Sequence, residues 1–399
     1  MRRSQFIRLL PICLLACVLT GCWSRVELND LAIVVGMSFD KKGDEVQVTI
    51  QVVNPSEVAS KKGATGNLSV TTYQATSPTI FEALRKLATV SPRRVYASHL
   101  RILVISEEIA KEGITPILDG ISRNHEMRSD FYITVARGTS AESILRTLTP
   151  IEKIPSNKLF TTLEMSEKVW APTVKVKLDT LISDLQTEGK DPVLTGIQIK
   201  GDPSKGGDKG NLNRTVPYAT LQYSGLAVFK NDKLAGWMDE LESKGYNYIS
   251  NNVKSTIGHV TCPEGGIMAL EIMRAKTKVH GTVKNGKPQV QVDSFIEEDV
   301  GEVQCKIDLM DPQQIADLEQ IAQKRVEGII KGAIEKAKTY NADIFGFGQA
   351  VNRSSPKYWE KHKGEWMDQF AELPVQVNVE VKIRRMGTVN DSLLQKIKE

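Results

Sequence analysis

Histidine, cysteine and aromatic side chains are all sparse in this 399-residue chain, and each scarcity removes a class of function. The five histidines, His99, His125, His259, His280 and His362, stand far apart, with no His-x-x-x-His pair and no cysteine pair at metal spacing, so no metal centre is expected. There is no Gly-x-Ser-x-Gly elbow, no P-loop and no dinucleotide fingerprint, which leaves neither a hydrolase nucleophile nor a nucleotide cradle in view. No cofactor is expected, and the chain reads as a non-enzyme. Aromatics make up 6% of the residues, few for the ring-lined cleft of a solute receptor. Beyond residue 21 no stretch is apolar enough to span a bilayer, and no basic tract suggests nucleic acid.

What the chain does have begins at its first residue. Arg2, Arg3 and Arg8 precede an apolar stretch from Leu9 to Leu19 that is too short for a stable membrane anchor. Leu19-Thr20-Gly21-Cys22 follows and resembles the bacterial lipobox, in which the thiol is diacylated and the chain is cut before it. Residues 1–21 are therefore expected to be a removed signal, with cleavage between Gly21 and Cys22. Cys22 is the expected lipid attachment site. Two acyl chains, at ~0.8 kcal/mol per buried methylene, hold a protein where one does not. Loss of the three arginines takes the formal net charge from +4 to +1, an ordinary mixed surface.

Of five cysteines, Cys13 and Cys17 leave with the signal and Cys22 is acylated, so Cys262 and Cys305 remain. Outside the membrane these two can pair. Cys305, however, lies in the period-2 run from Val303 to Leu309 that turns its thiol to the apolar side, which reads as a buried free thiol.

Period and punctuation give the order of elements. Leu31–Phe39 and the alternating Val46–Val52 read as a hairpin around Gly43; residues 55–69 read as an exposed loop. Ser77-Pro78 reads as a helix start, with Ile80, Leu84 and Leu87 facing inward. Leu100–Ile105 is a strand apolar on both faces, Glu107-Glu108 opens a helix, another helix lies near 117–124, and Phe131–Val135 is a strand. Residues 141–187 read as mainly helical. Leu194–Ile199 and Thr215–Tyr223 flank a polar hairpin tip.

From Ser224 the pattern restarts. Gly225–Phe229 and Leu234–Trp237 form a hairpin over Asn231-Asp232 that opens a second unit. Strands at 267–281, 289–297 and 302–309 read as an antiparallel meander. Asp311-Pro312 caps a helix to about Tyr340, ~43 Å long, whose stripe of Ile315, Leu318, Ala322, Val326, Ile329, Ala333 and Ala337 lies across the sheet. Val375–Ile383 is a strand with one aliphatic and one polar face. The fold class is α+β, or mixed α/β, in several units: 22–223, with a division near 140, then 224–386 as an antiparallel sheet with a long helix, and a tail at 387–399.

Several local features have a plain structural reading. Gly346-Phe347-Gly348 follows a helix, so it reads as a turn and not as a phosphate cradle. Gly328 and Gly332 read as a close helix-packing site. Glu297, Glu298 and Asp299 read as a solvated strand end, and Tyr358, Trp359 and Trp366 as packing against the second sheet.

These residues in this order resemble the C subunits of bacterial spore germinant receptors, the Ger(x)C lipoproteins. The resemblance rests on Trp23, Arg25, Glu27-Leu28 and Asn29-Asp30-Leu31, then Gly36 and Asp40-Lys41, Ser98-His99-Leu100-Arg101, Val104-Ile105, Arg123 and Arg128. In the second half it rests on Gly225–Phe229 with Gly236-Trp237, and on Asp343-Ile344-Phe345-Gly346-Phe347-Gly348. Ser24-Arg25-Val26-Glu27 departs from the family pattern by one extra residue between Arg and Glu. The resemblance implies mixed sheet and helix domains without enzymatic activity. It implies two partners, a large A subunit and a polytopic B subunit resembling amino-acid transporters. The implied place is the outer face of the cell membrane, which in spores is the inner membrane, and the implied task is to sense nutrients and trigger germination. A solute-binding lipoprotein of an importer shares the anchor and the size, but the two halves here do not repeat.

Overall fold

Alternating and continuous apolar strands separate the chain into two sheets, seen in a computed structural model that describes residues 27–59, 66–124, 126–263 and 265–385. The signal at 1–21, Cys22, His125 and the tail at 387–399 lie outside the described residues.

The first strands are β1 (Leu31–Lys42) and β2 (Glu45–Val53), an antiparallel hairpin over Gly43, whose φ of 60° suits glycine. After a short helix α1 (Pro55–Ala59), β3 (Val70–Ser77) pairs with the outside of β2. The next helix, α2 (Ile80–Lys86), corrects the expected cap. Ser77 is held in the β2–β3 ladder opposite Val46, so the chain turns two residues later, and Thr79 Oγ1 accepts from Glu82 N at 3.2 Å. Short strand β4 (Arg94–Tyr96) lies parallel beside the start of β1. Strand β5 (Ile102–Ser106) is buried throughout, and Ser106 caps α3 (Glu107–Glu112) by accepting from Ile109 N. Then come α4 (Thr115–Ser122), β6 (Tyr132–Ala136), α5 (Ala141–Arg146), α6 (Pro155–Val169) and α7 (Leu178–Gln186). The antiparallel pair β7 (Val193–Gly201) and β8 (Ala219–Lys230) is the expected hairpin, and β9 (Lys233–Met238) follows over Asn231, at φ 54°.

These strands form one nine-stranded sheet in the order β3-β2-β1-β5-β6-β7-β8-β9, with β4 paired to β1. Strands β1, β5, β6 and β7 are mutually parallel, so their crossovers place helices on both faces. Ile144, Leu145, Leu159 and Leu163 of α5 and α6 cover Ile102, Val104 and Ile197 on one face. Helices α3, α4 and α7 join the main core on the other. Residue 140 is the cap of α5 within this sheet. Ser224 lies within β8, and the hairpin over Asn231 is part of the first sheet.

The second sheet follows α8 (Glu240–Ile249), which a capping box of Asp239 and Glu242 starts. It contains β10 (Thr256–Thr261), β11 (Ile267–Lys284) and β12 (Lys287–Gln304), all antiparallel. The strands expected at 289–297 and 302–309 are thus one strand ending at Gln304. Helix α9 (Pro312–Thr339) spans 28 residues, starts where Asp311 accepts from Gln313 N, and buries Leu318, Ala322, Val326, Ile330, Ala333 and Ala337. Each larger apolar side chain so buried contributes about 1.5–3 kcal/mol. Short helices α10 (Phe347–Ser354), α11 (Pro356–His362) and α12 (Trp366–Ala371) lead to β13 (Val375–Arg385). That last strand pairs parallel with β12, so the sheet is mixed and not wholly antiparallel as expected. Its alternation holds: Val377, Val379 and Val381 are buried, and Gln376, Asn378 and Glu380 are exposed.

Two further expectations change. Cys262 and Cys305 are buried as read, but they form a disulfide, Cα–Cα 6.5 Å, and not a free thiol pair. The ladder brings them together, because Thr261 faces Ile267 and Ile267 faces Gln304, so both cysteines leave the sheet at the same end. Among the described residues Gly328 and Gly332 pack against nothing. A Cβ at either would meet no atom within 4 Å, because the buried stripe of α9 lies on its other side.

Candidate functional site: a seam between the two sheets

The segments that look most distinctive in sequence meet in space where the two sheets join. Asp343, just after α9, is fully buried. Its carboxylate accepts from Phe347 N at 3.0 Å and Gly348 N at 2.7 Å, so it caps α10, and from Trp366 Nε1 at 3.0 Å. Burial pushes its carboxyl up to about 6, against the pull of those three donors. Asp191, on the turn before β7, accepts from Asn231 N at 2.7 Å and Asp343 N at 2.9 Å, and donates its own N–H to Asp343 O at 2.8 Å. Burial likewise raises Asp191. One carboxylate thereby ties the β8–β9 turn to the end of the long helix, and a second ties that point to the tryptophan layer.

Glycines let the backbones come this close. A Cβ on Gly348 would stand 2.7 Å from the Trp359 ring and 2.8 Å from Gly189 Cα, and one on Gly236 would stand 2.3 Å from the Tyr340 ring. Tyr340 Oη donates to Trp237 O at 3.0 Å and accepts from Trp237 N at 3.2 Å. Trp359 and Trp366 are buried with ring centroids 5.4 Å apart, as the packing reading expects. Gly346, at φ 70°, makes the turn before α10. The seam is a polar lock with apolar surroundings.

The other sequence-marked residues also resolve into architecture. Asp40 accepts from Ala141 N and Glu142 N, both at 2.8 Å, at the start of α5. Ser98 donates to Glu126 O at 2.8 Å, and Arg101 lies over the Phe160 ring, which stacks on Tyr132. Arg123 and Arg128 pair with Asp119 and Asp130 on the surface.

Glu297 to Asp299 departs most from expectation. The triplet sits inside β12, where Glu298 is wholly buried beneath α9 and neither carboxylate oxygen has a hydrogen-bond partner among the described residues. Burial raises its carboxyl to about 7, and Arg325 opposes the rise. Arg325 lies flat over β10, where a Cβ on Gly258 would overlap its guanidinium. Glu297 pairs outward with Arg384 at 2.5 Å. Among the described residues no His, Cys, Asp and Glu group is arranged to hold a metal ion.

Residues 24–199 match the family described as spore germination protein N-terminal domain, and residues 224–387 match spore germination B3/GerAC like, C-terminal. Spore germination protein KC of Bacillus subtilis (strain 168) is 34% identical over 390 residues, covering 96% of each chain. The chain belongs to the Ger(x)C family of germinant receptor C subunits. Spore germination protein B3 of the same organism is 24% identical over 96% of this chain and 97% of its own. The crystal structure of the GerBC protein superposes with a TM-score of 0.56 at 20% identity, over 87% of this chain and 96% of that one, which shows the shared fold. In this Ger(x)C chain Gly225–Phe229, Gly236-Trp237 and Asp343–Gly348 converge on the seam. Asp191, Gly189 and Tyr340, which complete the seam, carry no local motif; Asp343 belongs to the Asp343–Gly348 motif and stands four residues before Phe347, at capping distance from a helix.

Proposed function

We propose that this chain is the lipid-anchored, non-enzymatic C subunit of a nutrient germinant receptor, held on the outer face of the membrane by diacylated Cys22 and required for triggering spore germination. In a spore that membrane is the inner one. The full-length relation to spore germination protein KC carries the reading. Leu19-Thr20-Gly21-Cys22 supplies the anchor, and the Cys262–Cys305 disulfide suits a domain that matures outside the cytoplasm. Its partners are a large A subunit and a polytopic B subunit. Lipidation confines all three to one plane, so that modest interfaces suffice. The seam fixes the two sheets as one body, which suits a subunit that acts by being positioned and not by turnover.

Affinity purification of tagged protein from detergent-solubilised spore membranes tests this, with mass spectrometry of the companions and of the Cys22 peptide. Two membrane subunits, one of them transporter-like, together with diacyl-Cys22 are expected. Importer permease and ATPase subunits, or no membrane companion, would overturn the assignment.

A further inference from the structure

We infer that the surface at the start of β1 and β4 rests directly on an anionic bilayer, with arginines on lipid phosphates and an aromatic ring at the interface. The inference builds on the Cys22 anchor proposed above. Four residues separate Cys22 from Glu27, five chain steps with a reach of at most about 17 Å, so whatever lies beside the start of β1 is kept close to the lipid. What lies there is set by the ladder: Leu31 pairs with Arg94, in parallel, at the same end of the sheet.

A concavity of about 610 Å³ opens at this end, lined among others by Phe81, Arg85, Pro92, Arg93, Arg94 and Met127. Phe81 and nearby Val90 are 52% and 49% exposed and put two apolar side chains beside the arginines. Arg85 sits over the Phe81 ring, 5.3 Å from its centroid, a pairing of cation and ring that suits the headgroup level of a bilayer. Arg93 is exposed with no carboxylate partner among the described residues; Arg94 pairs with Glu126, and Lys86 donates to Thr76 O. The concavity itself is lined by Arg85, Arg93 and Arg94 against the single carboxylate Glu126, while Glu82 on the same helix and Glu27 and Asp30 before β1 are exposed outside it. Three guanidiniums around a shallow bowl with an apolar rim fit phosphodiester headgroups with acyl chains beneath. Negative surface potential decays within a Debye length, about 8 Å, so only a patch held this near the lipid feels it.

The test uses residues 22–399 carrying Cys22→Ser, which removes any acyl chain, with sedimentation on vesicles of phosphatidylcholine alone or mixed equally with phosphatidylglycerol. Binding to the mixed vesicles alone is expected. It should fall about fivefold for each of Arg85→Gln, Arg93→Gln and Arg94→Gln, and weaken with salt. Lys276→Gln with Lys278→Gln, on the far sheet, should leave it unchanged. Phe81→Ser provides a variant with no change of charge, and thermal unfolding reports whether each variant folds. Equal binding to both vesicle types, no binding to either, or equal losses from the far-sheet variant would overturn the inference. The Cys22 peptide from spore membranes separates the two readings: acylated Cys22 without phosphatidylglycerol preference removes only the patch, and patch-dependent binding with unacylated Cys22 removes only the anchor.

Discussion

The two sheets bury their strands differently. In the first, β5 and β6 are buried at every residue because parallel crossovers bring helices to both faces. In the second, α8, α9 and α10 share one face, and β11 and β13 alternate between core and water. The first sheet is held by apolar layers on two sides. The second has one layer, and two devices compensate: a disulfide at one end, and the carboxylate seam that fastens it to the first.

Cutting the seam should have the largest effect. Asp343→Ala leaves two backbone N–H groups and an indole N–H without their acceptor and opens a cavity; we expect about 3–5 kcal/mol of lost stability and separation of one calorimetric transition into two. A single transition at the native midpoint would show that the sheets cohere without the lock. Next comes the disulfide. Closing a loop across a sequence separation of 43 limits the unfolded chain, so Cys262→Ala with Cys305→Ala should cost about 2–4 kcal/mol, with the lower midpoint falling in the second unit.

Third is pH. Glu298 has a folded carboxyl raised to about 7 from an ordinary 4.5, so the folded state binds its proton more tightly than the unfolded state. Its contribution is complete below about 4.5 and is lost as pH rises through about 7. The unfolding free energy from urea titrations should fall between pH 5 and pH 8 by an amount on the order of 2 kcal/mol, and Glu298→Gln should flatten that slope. An unchanged slope in the variant would assign the dependence to Asp343, which titrates lower, at about 6. The smallest effect concerns the exposed Lys363–Glu188 pair, which also bridges the two halves: Glu188→Gln should leave the melting midpoint where it is, whatever the salt.

Most of the elements were legible because periodicity is local. The long helix and its Asp311 cap, the buried strand at 102–106 and the alternating last strand follow from residues within one or two turns of each other. Sheet membership is not local. Nothing in Gly225–Phe229 states that its ladder partner is Val193–Thr195 and not the strands that come next. The disulfide was hidden for the same reason, since its halves meet only through the rungs of β11. Glu298 could have been found: the inward parity of Val290, Val292, Ser294 and Ile296 continues to 298, and the charge of three successive carboxylates outweighed that count. Of the seam, the glycine and aspartate motifs were visible, but their convergence required the three-dimensional fold.

The hairpin of β11 and β12 is also a beam. Eighteen residues at about 3.3 Å each make it roughly 59 Å long. It is bolted covalently at the cysteine end, and near the Asn285-Gly286 tip it is gripped by α10, whose backbone leaves no room for a side chain on Gly281. Fixed at both ends, the two strands are hindered from sliding past each other, so the hairpin keeps its place in the core and is not a free arm.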